Sequence, residues 1–326
     1  MHAIRVDQPG GPEQLRPVEL EAPQPQRGEV LVAVEAAGVN YIDIYQRQGV
    51  YNVGTPYTPG MEAAGIVVAL GEDAVGFNVG DRVAYSSQLG AYAQLAAVPT
   101  TKLVGVPEGV ASDVAAAAML QGMTAQFLSH STYPIRRGDH VLIHAAAGGV
   151  GLLLVQMAKQ RGATVYGTTS TEEKAALVRA AGADEVILYT EQDFTAEVRR
   201  LTDGRGVQVV YDSVGKTTFD GSLNSLAPQG YLVLFGQASG PVPPLDPQVL
   251  NAKGSLFLTR PSLFHYAATP ADLQMRAGAV FAMIAAGTLD LRIDRRLPLA
   301  DAAEAHTLLA SRGTSGKLLL IPPQLS

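Results

Sequence analysis

The pattern of apolar and polar positions divides the chain near residue 120 into a β-rich part and a part in which strands and helices alternate. Before that point, Glu29–Glu35, Ala64–Leu70 and Asp81–Tyr85 show the character of short, partly buried strands. Turn signals such as Gly10-Gly11-Pro12 and Pro59-Gly60 separate these runs. Many short strands with such turns predict a small β-barrel.

From about residue 121, short apolar runs alternate with helical patterns. The predicted strands are Val141–Ile143, Thr164–Gly167, Glu185–Leu188, Val207–Tyr211, Tyr231–Phe235 and Ser255–Thr259. Helical patterns cover Val150–Ala158, Glu172–Ala181 and a segment near 193–202. This alternation predicts an α/β fold with a doubly wound parallel sheet. A helix across 270–286 and a last strand, Lys317–Ile321, are expected to follow.

A glycine-rich turn lies between the first of these strands and its helix. Gly148-Gly149-Val150-Gly151 sits where the apolar strand ends and the helical periodicity begins. Strand, glycine turn and helix form the context of a dinucleotide site, because the backbone approaches a pyrophosphate there and the helix offers free N–H groups. Ala146 stands where the first glycine of G-x-G-x-x-G would be, and tight strand–helix packing alone would also explain the glycines.

Composition narrows the functional classes. The chain has 326 residues, long enough for two domains, and its 24 basic and 30 acidic residues give a net charge of −6 without a basic run. No nucleic-acid partner is therefore expected. The absence of cysteine excludes a catalytic thiol and any thiolate metal site. The first residues show no apolar signal region, and the uncharged stretch 141–158 is interpreted as strand plus helix, so no membrane association and a cytoplasmic location are expected.

The tip of the second strand in this region bears on the choice of nucleotide. An acidic residue here would bind the ribose 2′-hydroxyl of NAD, but the sequence is Gly167-Thr-Thr-Ser-Thr171, with Lys174 one turn later. Hydroxyl groups and a cation favour the 2′-phosphate of NADPH. Glu172 and Glu173 argue against this, although Ser170 and Glu173 also match a helix capping box. Lys174 has the alternative of being a solvated helix lysine.

Several segments together resemble a known family. They are Gly38-Val-Asn-Tyr-Ile-Asp43, Pro59-Gly-Met-Glu-Ala-Ala-Gly65, His144-Ala-Ala-Ala-Gly-Gly-Val-Gly151, Tyr211-Asp-Ser-Val-Gly215 and Thr259-Arg-Pro-Ser262. Nearly the whole chain is similar to zinc-independent NADPH:quinone oxidoreductases of the medium-chain dehydrogenase/reductase superfamily, the group of zeta-crystallin, and most of all to the bacterial members. The resemblance implies a GroES-like catalytic domain over 1–120, completed by 266–326. It also implies a Rossmann domain over 121–265, with NADPH in the cleft between the two domains.

The resemblance also implies roles for individual residues. NADPH would be bound by Thr124, Gly148, Gly149, Val150, Ser170, Lys174, Tyr189, Ser213, Phe235, Gly236, Arg260 and Arg312. Asn40, Tyr45 and Tyr51 would act at the nicotinamide and substrate. From the residues alone, three alternatives stay open: Asn40 could cap a helix beginning at Tyr41, Phe235 could be a core residue, and Arg312 could be solvated at a helix end.

No metal site is expected. In the zinc dehydrogenases of the superfamily a Cys and a His bind the metal, and the sequence has Asn40 and Met61 in their places. His144, at the end of an apolar strand, is expected to be a hydrogen-bonded core residue. Hydride transfer from NADPH to a quinone is therefore the predicted reaction, with an NADPH-dependent alkenal or enone reductase and a non-catalytic NADPH-binding protein as alternatives. A homodimer is expected to form through the apolar strand Ser255–Thr259.

Overall fold

The computed structural model describes residues 1–325 and forms two compact units. The first unit consists of Met1–Met123 together with the segment from Ala267 onward, and the second unit is Thr124–Tyr266. The domain limits predicted from the sequence, 120/121 and 265/266, stay predictions.

The described residues contain strands and helices in the following order. The strands are β1 His2–Arg5, β2 Arg16–Glu19, β3 Glu29–Val39, β4 Glu62–Leu70, β5 Arg82–Ser86, β6 Leu95–Pro99, β7 Leu103–Gly105, β8 His140–Ile143, β9 Thr164–Thr169, β10 Glu185–Leu188, β11 Val207–Asp212, β12 Leu226–Leu234, β13 Phe257–Thr259, β14 Ile293–Pro298 and β15 Lys317–Ile321. The α-helices are α1 Tyr41–Arg47, α2 Ser112–Phe127, α3 Gly149–Gln160, α4 Glu172–Ala180, α5 Phe194–Leu201, α6 Phe219–Ser225, α7 Gln248–Ala252, α8 Leu263–Tyr266, α9 Pro270–Ala285 and α10 Ala302–Ala310.

The first unit is built around β3. The sheet order is β14-β15-β3-β4-β5-β7, and β6 pairs with β3 as well. The first residues of β3 pair with β6, and its last residues, Ala37–Val39, pair with the C-terminal strand β15. Buried side chains on these strands, including Val32, Val67 and Leu320, form one apolar core. The end of the chain is therefore an integral part of the N-terminal sheet.

The second unit is a doubly wound sheet, as the alternation predicted. Its order is β10-β9-β8-β11-β12-β13, and every neighbouring pair is parallel. The chain starts in the middle at β8, winds out to β10 and then returns to β11 on the other side of β8. This reversal between β8 and β11 is where ligands of such sheets bind, outside the carboxyl ends of the strands. Leu142, Val210 and Leu232 belong to the apolar core of this unit.

The start of α4 differs in detail from the prediction. Thr171, not Ser170, is the N-cap, and its hydroxyl accepts from the Lys174 N–H at 3.3 Å. The predicted capping box of Ser170 and Glu173 is therefore wrong, because the helix begins one residue later than such a box requires. Ser170 is left outside the helix, between the strand and the cap.

No helix among residues 1–325 is both long enough and apolar enough to cross a membrane.

Candidate functional site

The carboxyl edge of the parallel sheet gathers most of the predicted nucleotide residues. Each strand is followed by at least one of them: Gly148, Gly149 and Val150 after β8, Ser170 and Lys174 after β9, Tyr189 after β10, Ser213 after β11, Phe235 and Gly236 after β12, and Arg260 after β13. Because all six strands are parallel, these positions share one edge. The structure therefore brings to one edge residues as far apart in the sequence as Gly148 and Arg260, which are 112 positions apart.

The glycine turn is shaped by close contact between helix and strand. A Cβ on Gly151 would lie 2.5 Å from the Ala145 carbonyl oxygen and 2.7 Å from Ala146 Cα. These are backbone atoms that cannot move aside, so only glycine lets α3 begin this close to β8. The first intrahelical bond of α3 runs from the Leu152 N–H to the Gly148 carbonyl. The N–H groups of the first turn, before Leu152, therefore make no bond within the helix. Such a helix start suits an anionic group.

The tips of β9 and β10 form a small polar surface. The Tyr189 N–H donates to the Thr169 carbonyl at 3.1 Å, and the Thr190 hydroxyl donates to the Ser170 carbonyl at 3.1 Å. Tyr189 is 42% exposed. These bonds hold Tyr189 beside Ser170, with Lys174 on the first turn of α4. The surface offers hydroxyl groups and one cation.

Glu172 does not oppose an anion at this surface as strongly as the sequence suggests. Its carboxylate forms an ion pair with Arg179, two turns further along the same face of α4. The Arg179 guanidinium holds the pKa of Glu172 below its usual range. Both partners are substantially exposed, so the pair contributes little to stability, but the positive charge of Arg179 offsets the negative charge of Glu172.

Ser213, Phe235 and Gly236 lie together where β11 and β12 end. The Phe235 N–H donates to the Asp212 carbonyl at 2.8 Å. A Cβ on Gly236 would lie 2.8 Å from Ser213 Cα, so the two loops touch through backbone. Phe235 is half-buried and follows the strand instead of continuing it. It is therefore not the core strand residue that one interpretation of the sequence allowed.

A buried polar chain lies directly beneath this edge. His144 Nδ1 is 2.9 Å from the Thr168 hydroxyl, and His144 Nε2 is 3.0 Å from the Ser222 hydroxyl. The Ser222 hydroxyl donates to Asp212 Oδ2 at 2.7 Å. Since that proton points at the carboxylate, Ser222 must accept from His144, which places the imidazole proton on Nε2. His144 is thus a hydrogen-bonded core histidine, as predicted, and burial lowers its pKa.

The predicted tyrosines of the first unit lie on and beside α1. The rings of Tyr41 and Tyr45 have centroids 6.1 Å apart, and Tyr45 and Tyr51 meet edge to face at 5.5 Å. Tyr51 is 39% exposed. The Tyr41 hydroxyl donates to the Leu309 carbonyl at 3.0 Å, which ties α1 to α10. We call Tyr41, Tyr45 and Tyr51 the tyrosine cluster.

Asn40 precedes this helix as its N-cap, in agreement with one alternative from the sequence. Its backbone N–H donates to Asp43 Oδ2 at 2.8 Å. Its side chain, only 3% exposed, turns inward: Oδ1 accepts from Lys317 Nζ at 2.8 Å, and Nδ2 donates to Glu62 Oε1 at 2.9 Å. Lys317 and Glu62 form a buried ion pair with each other. We call Asn40, Glu62 and Lys317 the buried polar triad.

Lys317 was not singled out from the sequence. Its side chain is 1% exposed at the start of β15, while that of Glu62 is 0% exposed at the start of β4. The only sequence signal is a lysine that opens an otherwise apolar strand, a position that more often places the amine in solvent. The partner lies 255 residues away, so no local pattern identifies the pair.

A second buried chain begins at Asp43. The Tyr92 hydroxyl donates to Asp43 Oδ2 at 2.9 Å and lies 3.1 Å from His306 Nε2, and Arg47 lies 3.2 Å from His306 Nδ1. Because arginine only donates, Nδ1 must accept, and the neutral ring carries its proton on Nε2. Burial, with the nearby Arg47 charge, lowers the pKa of His306 to about 3. Burial raises the pKa of Asp43 to about 7.

Two predicted nucleotide residues do not follow a strand of the parallel sheet. Thr124 is 8% exposed within α2. Arg312 belongs to the first unit, follows α10 and has a left-handed backbone with φ +60°. Its charge acts on Tyr41, where it opposes the rise in pKa that burial causes. The structure thus places Arg312 near the tyrosine cluster.

We call the carboxyl edge of the parallel sheet, with the predicted nucleotide residues that follow its strands, the nucleotide edge. A first unit whose sheet is completed by a strand from late in the chain and a second unit with this edge are the architecture of a dehydrogenase or reductase. Family models agree: residues 26–108 match the alcohol dehydrogenase GroES-like domain and 149–269 match the zinc-binding dehydrogenase model. The chain is 47% identical over 315 residues to quinone oxidoreductase of Pseudomonas aeruginosa, covering 96% of this chain and 97% of that one. It belongs to the quinone oxidoreductase family of the medium-chain dehydrogenase/reductase superfamily.

Two further comparisons extend this result. The structure of Escherichia coli quinone oxidoreductase complexed with NADPH has a TM-score of 0.97 and 40% identity, covering 99% of this chain and 100% of that chain. A 2-haloacrylate reductase from Burkholderia is 41% identical over 328 residues, covering 98% of each chain. The GroES-like and Rossmann fold class predicted from the sequence is confirmed.

The residues do not suit the zinc that the name of one family model implies. Residue 40 is an asparagine whose amide is engaged within the buried polar triad, and the Met61 thioether accepts from the Gln46 amide at 3.4 Å. Glu62 is neutralised by an ammonium group. Among residues 1–325, no group of three or more His, Cys, Asp and Glu side chains is arranged to hold a metal ion.

Proposed function

We propose that this protein is an NADPH-dependent quinone reductase that transfers hydride without a metal. The observation that carries the proposal is the nucleotide edge of the second unit, where hydroxyl groups and Lys174 take the place of an acidic residue at the tip of β9. We infer a quinone as the hydride acceptor because relatives that are 40–47% identical are quinone oxidoreductases. The proposal includes the cytoplasm as location, because that compartment supplies NADPH.

The shape of the edge fits NADPH. Gly148, Gly149 and Val150, at the turn that the close contact of Gly151 shapes, would receive the pyrophosphate, as in other dinucleotide folds. Ser170, Lys174 and Tyr189 would hold the 2′-phosphate. Ser213, Phe235, Gly236 and Arg260 would line the rest of the nucleotide, and Thr124 and Arg312 stay further proposed contacts. The proposal assigns this role to a Rossmann domain of 121–265.

The first unit would supply the acceptor site, in a domain of 1–120 completed by 266–326. Tyr45 and Tyr51 offer aromatic surfaces against which a flat quinone can stack. Bound NADPH supplies the hydride, and a tyrosine hydroxyl or solvent supplies the one proton that completes the hydroquinone. Asn40, whose amide is engaged within the buried polar triad, would act by positioning α1.

The experiment that tests this function is the oxidation of NADPH and of NADH by the purified protein, followed optically with quinones and unsaturated acids or aldehydes. Turnover of NADPH with quinones is expected. The relative named 2-haloacrylate reductase supports a second candidate, reduction of activated alkenes at the same site. Preference for alkenes would favour that candidate, and NADPH binding without turnover of any acceptor would favour a binding protein.

The cofactor assignment has its own test in Lys174→Ala. Loss of one charge-assisted contact should weaken NADPH binding by about 1–3 kcal/mol and leave NADH binding little changed. Lys102→Ala in the first unit is the matched control and should change neither. Equal losses for both nucleotides with Lys174→Ala would contradict the phosphate role.

We also propose a homodimer through β13. This strand ends the parallel sheet, and Phe257 is 49% exposed while its ring stacks on Tyr231 at 4.4 Å. An unpaired edge with an exposed aromatic ring is suited to pairing with a second copy. Light scattering at micromolar concentration should give the mass of a dimer, and Phe257→Lys should shift it towards the monomer. A monomeric mass for the unaltered protein would rule the dimer out.

A further inference from the structure

The buried polar triad is held in place by three neighbouring strands. Leu318 of β15 pairs with Val39 of β3, so Lys317 lies beside Asn40, the residue that follows β3. On the other neighbour, Ala63 of β4 pairs with Ala37, which places Glu62 beside Gly38. Register alone therefore brings residues 40, 62 and 317 together.

Gly38 makes the room that the ion pair occupies. A Cβ on Gly38 would overlap the Glu62 carboxylate, which rests against this part of β3. The second carboxylate oxygen of Glu62 accepts from the Leu120 N–H at 2.5 Å. Glu62 is thus fixed from three directions, by Lys317, by Asn40 and by the backbone of α2.

The triad is also the starting point of α1. Asn40 is the N-cap of this helix, and its side-chain amide is hydrogen-bonded to both Lys317 and Glu62. The direction in which α1 leaves β3 therefore depends on where the triad holds Asn40. Tyr41 and Tyr45 are carried by this helix, and Tyr45 in turn contacts Tyr51.

We propose that Lys317 is a positioning residue for the acceptor: through Asn40 it sets the orientation of α1 and so of the tyrosine cluster that receives a flat aromatic substrate. The inference rests on the proposed function for its substrate class. It assigns a role in the reaction to the last strand of the chain, from a residue that does not itself touch the substrate.

The proposal depends on charge balance within the triad. Without the ammonium group, the Glu62 carboxylate keeps the Asn40 amide and the Leu120 N–H but loses its counter-ion in a buried place, so the triad must rearrange. If both charges are removed together, Met and Gln can fill nearly the same space as Lys and Glu without a buried charge. The double variant should then keep Asn40 close to its original place.

The experiment compares Lys317→Met, Glu62→Gln and the double variant with the unaltered protein. For Lys317→Met, the KM for quinone should rise by about tenfold or more, while the Kd for NADPH stays within about twofold. The double variant should recover most of the quinone KM. Lys102→Met serves as the matched control for loss of one lysine and should behave as the unaltered protein.

A spectroscopic readout makes the test independent of turnover, and far-ultraviolet circular dichroism of the same samples identifies a variant that has failed to fold. The chain contains no tryptophan, so its near-ultraviolet circular dichroism comes mainly from its 12 tyrosines. The tyrosine signal should change in Lys317→Met and return in the double variant. A quinone KM and a tyrosine signal that both stay unchanged in Lys317→Met would overturn the proposal, and so would a double variant as impaired as the single one. If the unaltered protein reduces no quinone, the proposed function fails, whereas the circular dichroism still decides whether Lys317 orders the cluster.

Discussion

At the scale of single residues, buried polar and charged side chains are joined in chains of hydrogen bonds, each with a defined donor and acceptor. In both units a neutral histidine links donors to a buried carboxylate: His144 stands between Thr168 and the Ser222–Asp212 pair, and His306 stands between Arg47 and Tyr92. In each case the neighbours determine the tautomer, since Nε2 faces a hydroxyl whose own proton is donated to a carboxylate, Ser222 to Asp212 and Tyr92 to Asp43. Such chains hold their members firmly because each missing partner would leave a buried polar group unpaired.

Substitution of Gly38 measures how tightly side chains pack around the buried polar triad. In Gly38→Ala the new methyl group would collide with the Glu62 carboxylate and disturb the ion pair with Lys317. We expect the free energy of unfolding to fall by about 2–4 kcal/mol. Gly105→Ala, in another strand of the same sheet, meets no atom within 4 Å and is the matched control. Chemical denaturation of both variants measures the difference, and equal stability would show that the triad tolerates displacement.

His306 predicts a pH dependence of defined sign. Its pKa is lowered to about 3 in the folded protein, against about 6.5 in an unfolded chain. Between these values only the unfolded state binds the proton, so stability should fall as the pH is lowered from about 6.5 towards 3, by on the order of 3–5 kcal/mol.

The comparison that isolates this effect is His306→Gln. Glutamine can still accept from Arg47 and donate to Tyr92, but it does not titrate. Urea unfolding measured at several pH values should show a shallower acid loss in this variant than in the unaltered protein. Asp43, whose pKa is raised to about 7, acts in the opposite direction and is common to both proteins. Parallel pH profiles would argue against a buried neutral His306.

At the scale of elements, the contact between α3 and β8 decides whether the nucleotide edge keeps its shape. Gly151→Ala would place a methyl group against the Ala145 carbonyl and Ala146. Alanine favours a helix by about 1 kcal/mol over glycine, but fixed backbone atoms leave it no room, so α3 must shift. We expect NADPH affinity to fall by about tenfold or more. Titration calorimetry measures it, with Gly278→Ala in α9 as a control whose methyl group meets nothing.

Much of the element pattern follows from the sequence, because period and turn residues are local properties. The strands Glu185–Leu188 and Lys317–Ile321 have the predicted limits, and the helix predicted across 270–286 is Pro270–Ala285. Short edge strands such as Leu103–Gly105 and Ile293–Pro298 were missed, since three residues, or six of mixed polarity, give little periodic signal. Their pairing partners, not their own sequence, make them strands.

The residues of the candidate site also divide into those that local sequence predicts and those that depend on distant partners. The gathering of the proposed nucleotide residues at one edge follows from the sequence, because each follows a recognisable strand and parallel strands bring their ends together. Their roles are implied by the family resemblance and stay predictions. Lys317 was not predicted, because a buried lysine is explained only by its distant partner Glu62. The alternative that Asn40 caps a helix is correct, but its inward-facing amide depends on Lys317 and so could not be foreseen.

At the scale of the whole molecule, the chain lacks the groups that often make oxidoreductases sensitive to reagents. It has no cysteine, and residues 1–325 hold no cluster suited to a metal ion. We expect NADPH oxidation with quinones to be unaffected by chelators and by thiol-alkylating reagents, and metal analysis of the purified protein to find no stoichiometric zinc. Inhibition by a chelator, reversed by added zinc, would contradict the assignment.

The first unit is assembled from both ends of the chain, and Glu62 meets Lys317 across 255 residues. A ribosome making this protein therefore releases the early strands long before β15 exists. During that interval Glu62 has no counter-ion, and burying its charge unpaired would be costly. The N-terminal sheet is therefore expected to stay incompletely folded until Lys317 is available. The second unit, continuous in sequence, can fold completely in the meantime. Addition of β15 then completes the first unit, and a chain interrupted before β15 would carry a folded second unit and an unfinished, protease-accessible first unit.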